Sequence, residues 1–261
     1  TSYGNAGHFS PYAVLQLNRP DVLYDVPKMR FSSYGPLALR WNYIPKMIPW
    51  IVHYLKSCNK KSMMHTAKYM HQILNLSMDA YEEIFQEIDT TNLVERKGII
   101  YIWTKDNLKS RKLEIKVRNE LGIKQKLLTR DEILDLEPNL SPVFHEGVLY
   151  EDAIHARDPY GITKKIFEIC LKNGGKFFKE NVINLKQRSK NETTIKTETK
   201  DYNFEKIIVA SGAFSKTLTD QLNENIPLDT ERGYHIHFKG MDHLISRPVI
   251  FLDRGFGMTP M

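Results

Sequence analysis

The feature that most constrains this chain is the order of elements across residues 150–222: strand, helix, hairpin, strand, helix. Such alternation favours helices packed on a sheet over an all-helical or all-strand fold. Residues 147–154 read as a strand. Asp158 can then cap a helix, with Pro159 in the favoured first turn. Ile162, Ile166, Phe167 and Leu171 recur along that helix, and Asn173, Gly174 and Gly175 end it. Strands are expected at residues 177–185, 193–199 and 202–210. The last contains KIIVASGA, a continuous apolar run of the kind buried on both faces of a sheet. A turn of Ser211, Gly212 and Ala213 leads into a helix over residues 215–222.

The flanking segments mix hairpins and helices. Residues 42–89 read as two helices, from the recurrence of Ile44, Met47, Ile51 and Leu55 and then of Met70, Ile73, Tyr81, Ile84 and Ile88. The methionines between Met63 and Met78 fit adaptable core packing. Residues 93–103 suggest a hairpin turning at Lys97 and Gly98. A charged helix is expected over 106–121, closed by Gly122. A short helix over 129–136 carries a capping box of Thr129 and Glu132, and Pro138 stops it. Strands are expected at 227–238 and 248–252. The fold class is therefore mixed α/β, without internal repeats.

Charge and composition narrow the partners. The 37 basic and 31 acidic residues leave a net charge of +6. The lysines are spread along the chain, dense only at 56–61 and 109–126, which read as exposed helix faces. No nucleic-acid partner is expected, and attraction to an anionic membrane surface stays open. No apolar run is long enough to span a bilayer, the nearest being interrupted by Pro45, Lys46, Pro49 and His53. Residues 1–11 lack a basic, then apolar, leader pattern. Cys58 and Cys170 sit in no metal-type spacing and read as free thiols of a reducing compartment.

Three segments could carry chemistry. TSYGNAG (residues 1–7) combines small residues that let backbone approach a ligand with Thr1, Ser2 and Asn5 as hydrogen-bonding groups. On composition alone an ordinary turn is the simpler reading. KIIVASGAFS (206–215) would place Ala210, Ser211 and Gly212 at the carboxyl end of a buried strand, where backbone N–H groups meet ligands; an ordinary strand-to-helix connection has the same pattern. ERGYHIHF (231–238) offers Arg232, whose fork matches a carboxylate, with Tyr234 and His235. His235 and His237 would share a strand face, but no third ligand at sensible spacing accompanies them, so no metal is expected.

These segments, taken in order, resemble the FAD-dependent D-amino-acid oxidase superfamily, in particular its D-amino-acid dehydrogenase branch. The run TSYGNAG resembles the branch's TS-x-x-NAG segment. DAIHARDP (152–159) resembles its D-A-x-x-x-R-D-P run. A helix, the Gly174-Gly175 turn and a strand centred on Val182 follow. VASGAFS (209–215) and PLDTERGYH (227–235) are similar to the branch's V-x-A-x-G-A-x-S and P-L-x-x-E-R-G-Y-H runs.

The resemblance covers nearly the whole chain. It implies a partial Rossmann-like FAD-binding domain interleaved with a mixed-sheet substrate domain. FAD-domain pieces would occupy 1–31 and 150–225, and substrate-domain pieces 32–149 and 226–261. It also implies a longer parent, with a GxGxxG unit before residue 1 and a further segment after residue 261. FAD would meet Thr1, Ser2, Asn5, Ala6, Gly7, Val182, Ala210, Ser211 and Gly212. The substrate would meet Tyr234, with Arg232 and His235 as further candidates.

The implied reaction is oxidation of a D-amino acid to a 2-oxo acid and ammonia by hydride transfer to the flavin. No catalytic acid or base is assigned. Electrons would pass to a quinone or another non-oxygen acceptor. The implied location is cytoplasmic, at most peripheral to the inner face of the cytoplasmic membrane. A glycine- or sarcosine-type amine oxidase, a 2-hydroxy-acid dehydrogenase and a catalytically inactive fragment remain the alternatives.

Overall fold

A computed structural model describes residues 3–16, 18–20, 41–105, 108–189, 192–230 and 233–261. In chain order the regular elements are β1 (His8–Phe9), α1 (Ile44–Ser57), α2 (Lys60–Leu74), α3 (Ser77–Glu87), β2 (Val94–Glu95), β3 (Ile99–Trp103), α4 (Leu108–Glu120), β4 (Lys126–Thr129), α5 (Arg130–Leu136), β5 (Glu146–Tyr150), β6 (Ile154–Ala156), α6 (Pro159–Lys172), β7 (Val182–Ser189), β8 (Glu192–Thr197), β9 (Asp201–Phe204), α7 (Ser215–Thr219), β10 (Val249–Phe251) and β11 (Phe256–Met258). The chain divides into two compact units, residues 1–169 with 237–261 and residues 170–236. The first unit is thus discontinuous in sequence.

The first unit is built on a five-stranded sheet of order β11-β10-β3-β5-β4. The β10–β3 pair is parallel and the other pairs are antiparallel. The central strand β3, IIYIW, is covered on both faces, and its alternation sorts two cores. Ile100 and Ile102 join Leu128, Leu149, Val249 and Phe251. Ile99 and Trp103 join Val148, Tyr150 and Tyr12. Complete burial of side chains this size contributes about 1.5–3 kcal/mol each before entropy is charged against it. Gly147 is required where β5 passes β3, since a Cβ there would lie 2.5 Å from the Tyr101 carbonyl oxygen.

Helices close the second core with a buried ion cluster. Glu114 on α4 accepts from Arg19, Arg111 and Arg118. Burial alone would raise the Glu114 pKa, but the three guanidiniums outweigh it and hold the carboxyl below its ordinary value. Arg118 also lies over the Tyr150 ring, 5.5 Å from its centroid, and Tyr12 stacks on Tyr150 at 3.8 Å.

A second sheet of the same unit, β1-β6-β2, packs Ile154 and Ala156 against Phe85, Ile88 and Ile162 of the α3 and α6 regions. In the other unit β7, β8 and β9 form an antiparallel meander.

Several expectations hold. The Thr129–Glu132 capping box is complete, Gly122 takes a positive φ of 74° after α4, and Asp158 accepts from the Gly161 N–H at the start of α6. Others are corrected. Residues 42–89 form three helices, because Asn59 caps a new one by accepting from the Ser62 N–H at 2.9 Å, and Ser77 Oγ bonds back to the Leu74 carbonyl. The expected hairpin over 93–103 does not form. Gly98 turns with φ of 74°, and β2 pairs with β6 while β3 pairs with β5 and β10. The strand expected over 202–210 ends at Phe204. Residues 206–210 are not strand, and Ile208 is 92% exposed. The described residues of 227–238 likewise form no strand. Both runs have the right residues for strands, but among the described residues no neighbour supplies a ladder.

Candidate functional site

The first candidate segment folds as a tight turn fastened to β6. Asn5 Oδ1 accepts from the Gly7 N–H at 2.7 Å. The Gly7 carbonyl in turn accepts from the Ala156 N–H, also at 2.7 Å. Gly7 has φ of 67°, and a Cβ there would lie 2.6 Å from the Ala156 carbonyl oxygen, so only glycine fits. Asn5 and Ala6 remain exposed above it.

β1 continues from this turn and pairs His8 with His155. Thr259 ties in a third segment. Its Oγ1 donates to the Ala6 carbonyl at 3.2 Å and lies 2.8 Å from His8 Nε2. The structure therefore joins Asn5, Ala6 and Gly7 to the DAIHARDP run and to residues 259–261. Thr1 and Ser2 lie outside the described residues.

A cavity of about 280 Å³ opens in the same unit, with His155, Arg157, Glu95, Lys97, Asp242 and Pro260 among its walls. Alternation along β6 places His155 and Arg157 on one face, and Glu95 is the register partner of His155. Arg157 lies 3.3 Å from Glu95 and 4.0 Å from Asp242, and Lys97 lies 3.6 Å from Glu95. These are loose pairs, so cations and carboxylates both keep capacity for a ligand.

His155 is completely buried, and neither ring nitrogen has a well-formed hydrogen bond. The Pro260 carbonyl still favours its charged form, as a weaker, less aligned acceptor. Burial, with His8 and Lys97 adding to it against Glu95, lowers the His155 pKa to about 4. Burial also lowers that of His8 to about 4. Both rings are therefore neutral at neutral pH, each with one donor and one acceptor nitrogen.

The cavity rim is anchored from α5. Glu137 accepts from the Ser246 N–H at 2.8 Å, from Ser246 Oγ at 2.5 Å and from Arg247 Nε at 3.0 Å, and Arg247 Nη1 donates to the Lys97 carbonyl at 2.9 Å. In the sequence Glu137 reads only as the residue before the Pro138 stop. Glu95, Asp242 and His243 belong to no local motif, and Lys97 only to a turn signal, because sheet pairing and a return of the chain bring them together. His155 and Arg157 were legible only as members of the DAIHARDP run, whose alternation was the available signal. A hollow of about 460 Å³ lined by Lys216, Asp220, Asn223 and Asn225 lies in the other unit. It is larger but shallow, and it carries no comparable buried polar group.

The remaining candidates belong to residues 170–236. Val182 opens β7 and is partly exposed. Ala210 and Ser211 are exposed and enter a 3₁₀ turn, Gly212–Phe214, that leads into α7. Gly212 has φ of 56° with nothing near its missing Cβ. The end of this helical region packs on β7, where the Leu185 N–H donates to Gln221 Oε1 at 2.9 Å. Tyr234 and His235 lie in an exposed run without regular secondary structure, and Arg232 lies outside the described residues. Among the described residues no cluster of three or more His, Cys, Asp or Glu could hold a metal.

The family model described as FAD dependent oxidoreductase matches residues 1–261, and the chain belongs to that family. It is 31% identical to a D-amino-acid oxidase of Bradyrhizobium diazoefficiens over 90% of this chain and 56% of the relative. It is 26% identical to a D-amino acid dehydrogenase of Helicobacter pylori over 100% of this chain and 62% of the relative. The chain thus spans about three fifths of the length of these relatives. In fold it is similar to a glycine oxidase of Bacillus cereus, with a TM-score of 0.54 and 20% identity over 72% of this chain and 53% of that one.

The residues present suit the family's cofactor. A flavin dinucleotide needs backbone and small side chains at close range, and exposed Asn5 and Ala6 over a glycine-only turn are of that kind.

Proposed function

We propose that the protein containing this chain oxidises D-amino acids to 2-oxo acids and ammonia. Bound FAD supplies the hydride acceptor. Thr1, Ser2, Asn5, Ala6, Gly7, Val182, Ala210, Ser211 and Gly212 would hold it. The observation that carries the reading is the charged cavity beside the fastened Asn5-Ala6-Gly7 turn, with the buried His155 imidazole in its wall. An amino acid is a zwitterion, and the walls are matched to one. Arg157 and Lys97 suit its carboxylate, and Glu95 and Asp242 suit its ammonium. Neutral His155 can orient the substrate by donating or accepting a hydrogen bond without adding charge. Tyr234, Arg232 and His235 are proposed as further substrate contacts. The ammonium first gives a proton to water; the neutral amine's lone pair then forms C=N as hydride leaves Cα, and water hydrolyses the resulting imino acid to the 2-oxo acid and ammonia.

The acceptor of the electrons is proposed to be a quinone or similar oxidant rather than oxygen, with the protein on the cytoplasmic side and peripheral to the membrane. Among the described residues no helix is long and apolar enough to cross a membrane. A second reading, with oxygen as acceptor, is favoured by the 31% identity to a D-amino-acid oxidase.

The test uses the full-length flavoprotein. Dye reduction is measured with D-alanine and other D-amino acids, sarcosine and 2-hydroxy acids, alongside peroxide release. Reduction by D-amino acids without peroxide supports the first reading, and peroxide supports the second. Absence of flavin, or reduction only by sarcosine or 2-hydroxy acids, overturns both. Arg157→Ala should raise KM for a D-amino acid by roughly 10–100-fold with a smaller change in kcat, as expected for a lost charge-assisted carboxylate contact. An unchanged KM removes Arg157 from the site.

A further inference from the structure

We propose that helices α1 and α2 form an interfacial contact with an anionic lipid surface. The proposal deepens the peripheral association put forward above and is independent of the substrate. Neither helix spends its apolar residues only on the core. α2 turns Met63 and Ala67 inward against Val14 and Val117. It also turns Tyr69 and Ile73 outward at i and i+4, and Leu76, just past its C-cap, continues that apolar strip. α1 has no fully buried residue and carries a matching stripe of Ile48, Val52 and Leu55. All six side chains are between 42% and 68% exposed. Single exposed apolar residues are ordinary, but helical stripes on two successive helices mark an interaction surface.

Charge selects the occupant. From Trp41 to Met78 the sequence contains no aspartate or glutamate, while Lys46, Lys56, Lys60, Lys61 and Lys68 are all exposed. Trp41, Tyr43 and Trp50 are exposed in the same stretch, and such rings favour the headgroup level. An apolar stripe, aromatic neighbours and a purely cationic polar surface are the attributes of a helix lying in the plane of an anionic bilayer interface. A protein partner or a second copy would need no such exclusion of acidic residues. Neither helix is long and apolar enough to span, so the contact is made from one side.

The test is co-sedimentation of the full-length, flavin-loaded protein with vesicles of phosphatidylcholine alone or mixed with phosphatidylglycerol. Binding is expected only to the mixed vesicles and should weaken as salt is raised. The triple variant Ile48→Ser, Val52→Ser, Leu55→Ser should lower partitioning by roughly tenfold or more, with flavin content and circular dichroism unchanged. Replacing Lys46, Lys56, Lys60 and Lys61 by Gln should remove the preference for anionic lipid. No binding to mixed vesicles, equal binding to neutral ones, or an unaffected triple variant overturns the proposal. So does light scattering that shows a dimer dissociated by the triple variant. Dye reduction measured without vesicles separates this outcome from failure of the proposed chemistry.

Discussion

Residues 170–236 and the remainder of the chain solve the same problem with different means. In the larger unit β3 is buried on both faces, and cores gather around Ile100, Trp103, Ile154 and Met63. In the smaller unit Leu185 is the one fully buried apolar side chain among the described residues, beside the polar Thr194, Thr197 and Thr219. Its meander relies on hydroxyls. Glu180 accepts from Thr197 Oγ1, Thr199 Oγ1 and Tyr202 Oη, and those bonds lower its carboxyl pKa to about 2. A sheet covered by another layer is stabilised by apolar area, whereas a sheet with open faces is left with local hydrogen bonds of modest net worth. Stability should therefore be uneven along this chain, concentrated around β3 and β5.

That contrast can be broken at its strong side first. Glu114→Ala leaves Arg19, Arg111 and Arg118 without their shared buried carboxylate, and a loss of about 3–5 kcal/mol is expected in denaturant unfolding of the larger unit. Gly7→Ala forces a side chain into positive φ against the Ala156 carbonyl. A loss on the order of 3 kcal/mol should accompany weakened flavin retention, read by thermal unfolding and flavin absorbance.

In the smaller unit Leu185→Ala should cost about 2 kcal/mol. The loss should appear in hydrogen exchange as reduced protection of β7, β8 and β9, with β3 and β5 unchanged. Equal loss of protection in β3 would show that the two units unfold together.

Acid supplies the next test. His155 has a folded pKa of about 4 against an ordinary 6.5, so the unfolded chain binds the extra proton between those values. Its contribution is complete above pH 6.5 and is lost as pH falls toward 4. The loss is about 3 kcal/mol, and His155→Gln should flatten this part of a stability-versus-pH curve. The smallest effect is expected for half-buried Glu180→Gln, which should reduce protection of β8 and β9 without moving the midpoint of the larger unit.

Much of the architecture was legible because its causes are local. The capping box of Thr129 and Glu132, the Asp158 cap, the Gly122 stop and the apolar period of α1 depend on groups three or four residues apart. The hairpin at Gly98 was misread because a turn signal sets chain reversal but not strand partners. β2 and β3 enter different sheets. KIIVASGA was misread for a related reason, since an apolar run becomes a strand only where other backbones complete its ladder.

The candidate site divides along the same line. The turn of Asn5, Ala6 and Gly7 could be picked from small residues and their order relative to later motifs, and its glycine carries its own steric reason. The cavity could not be picked. Glu95, Arg157 and Asp242 lie far apart in sequence and meet only because β2 pairs with β6 and residues 237–246 return to them, held there by Glu137.

The sequence by itself determined the mixed α/β class, the helix boundaries set by caps and glycines, and the ordered motifs that place the chain in a flavoenzyme family. The tertiary structure alone decided which strands pair, which histidine is completely buried at the cavity, and which charges face that cavity. Those properties arise from contacts between residues dozens to hundreds of positions apart, and chain closure fixes such contacts where local propensity cannot.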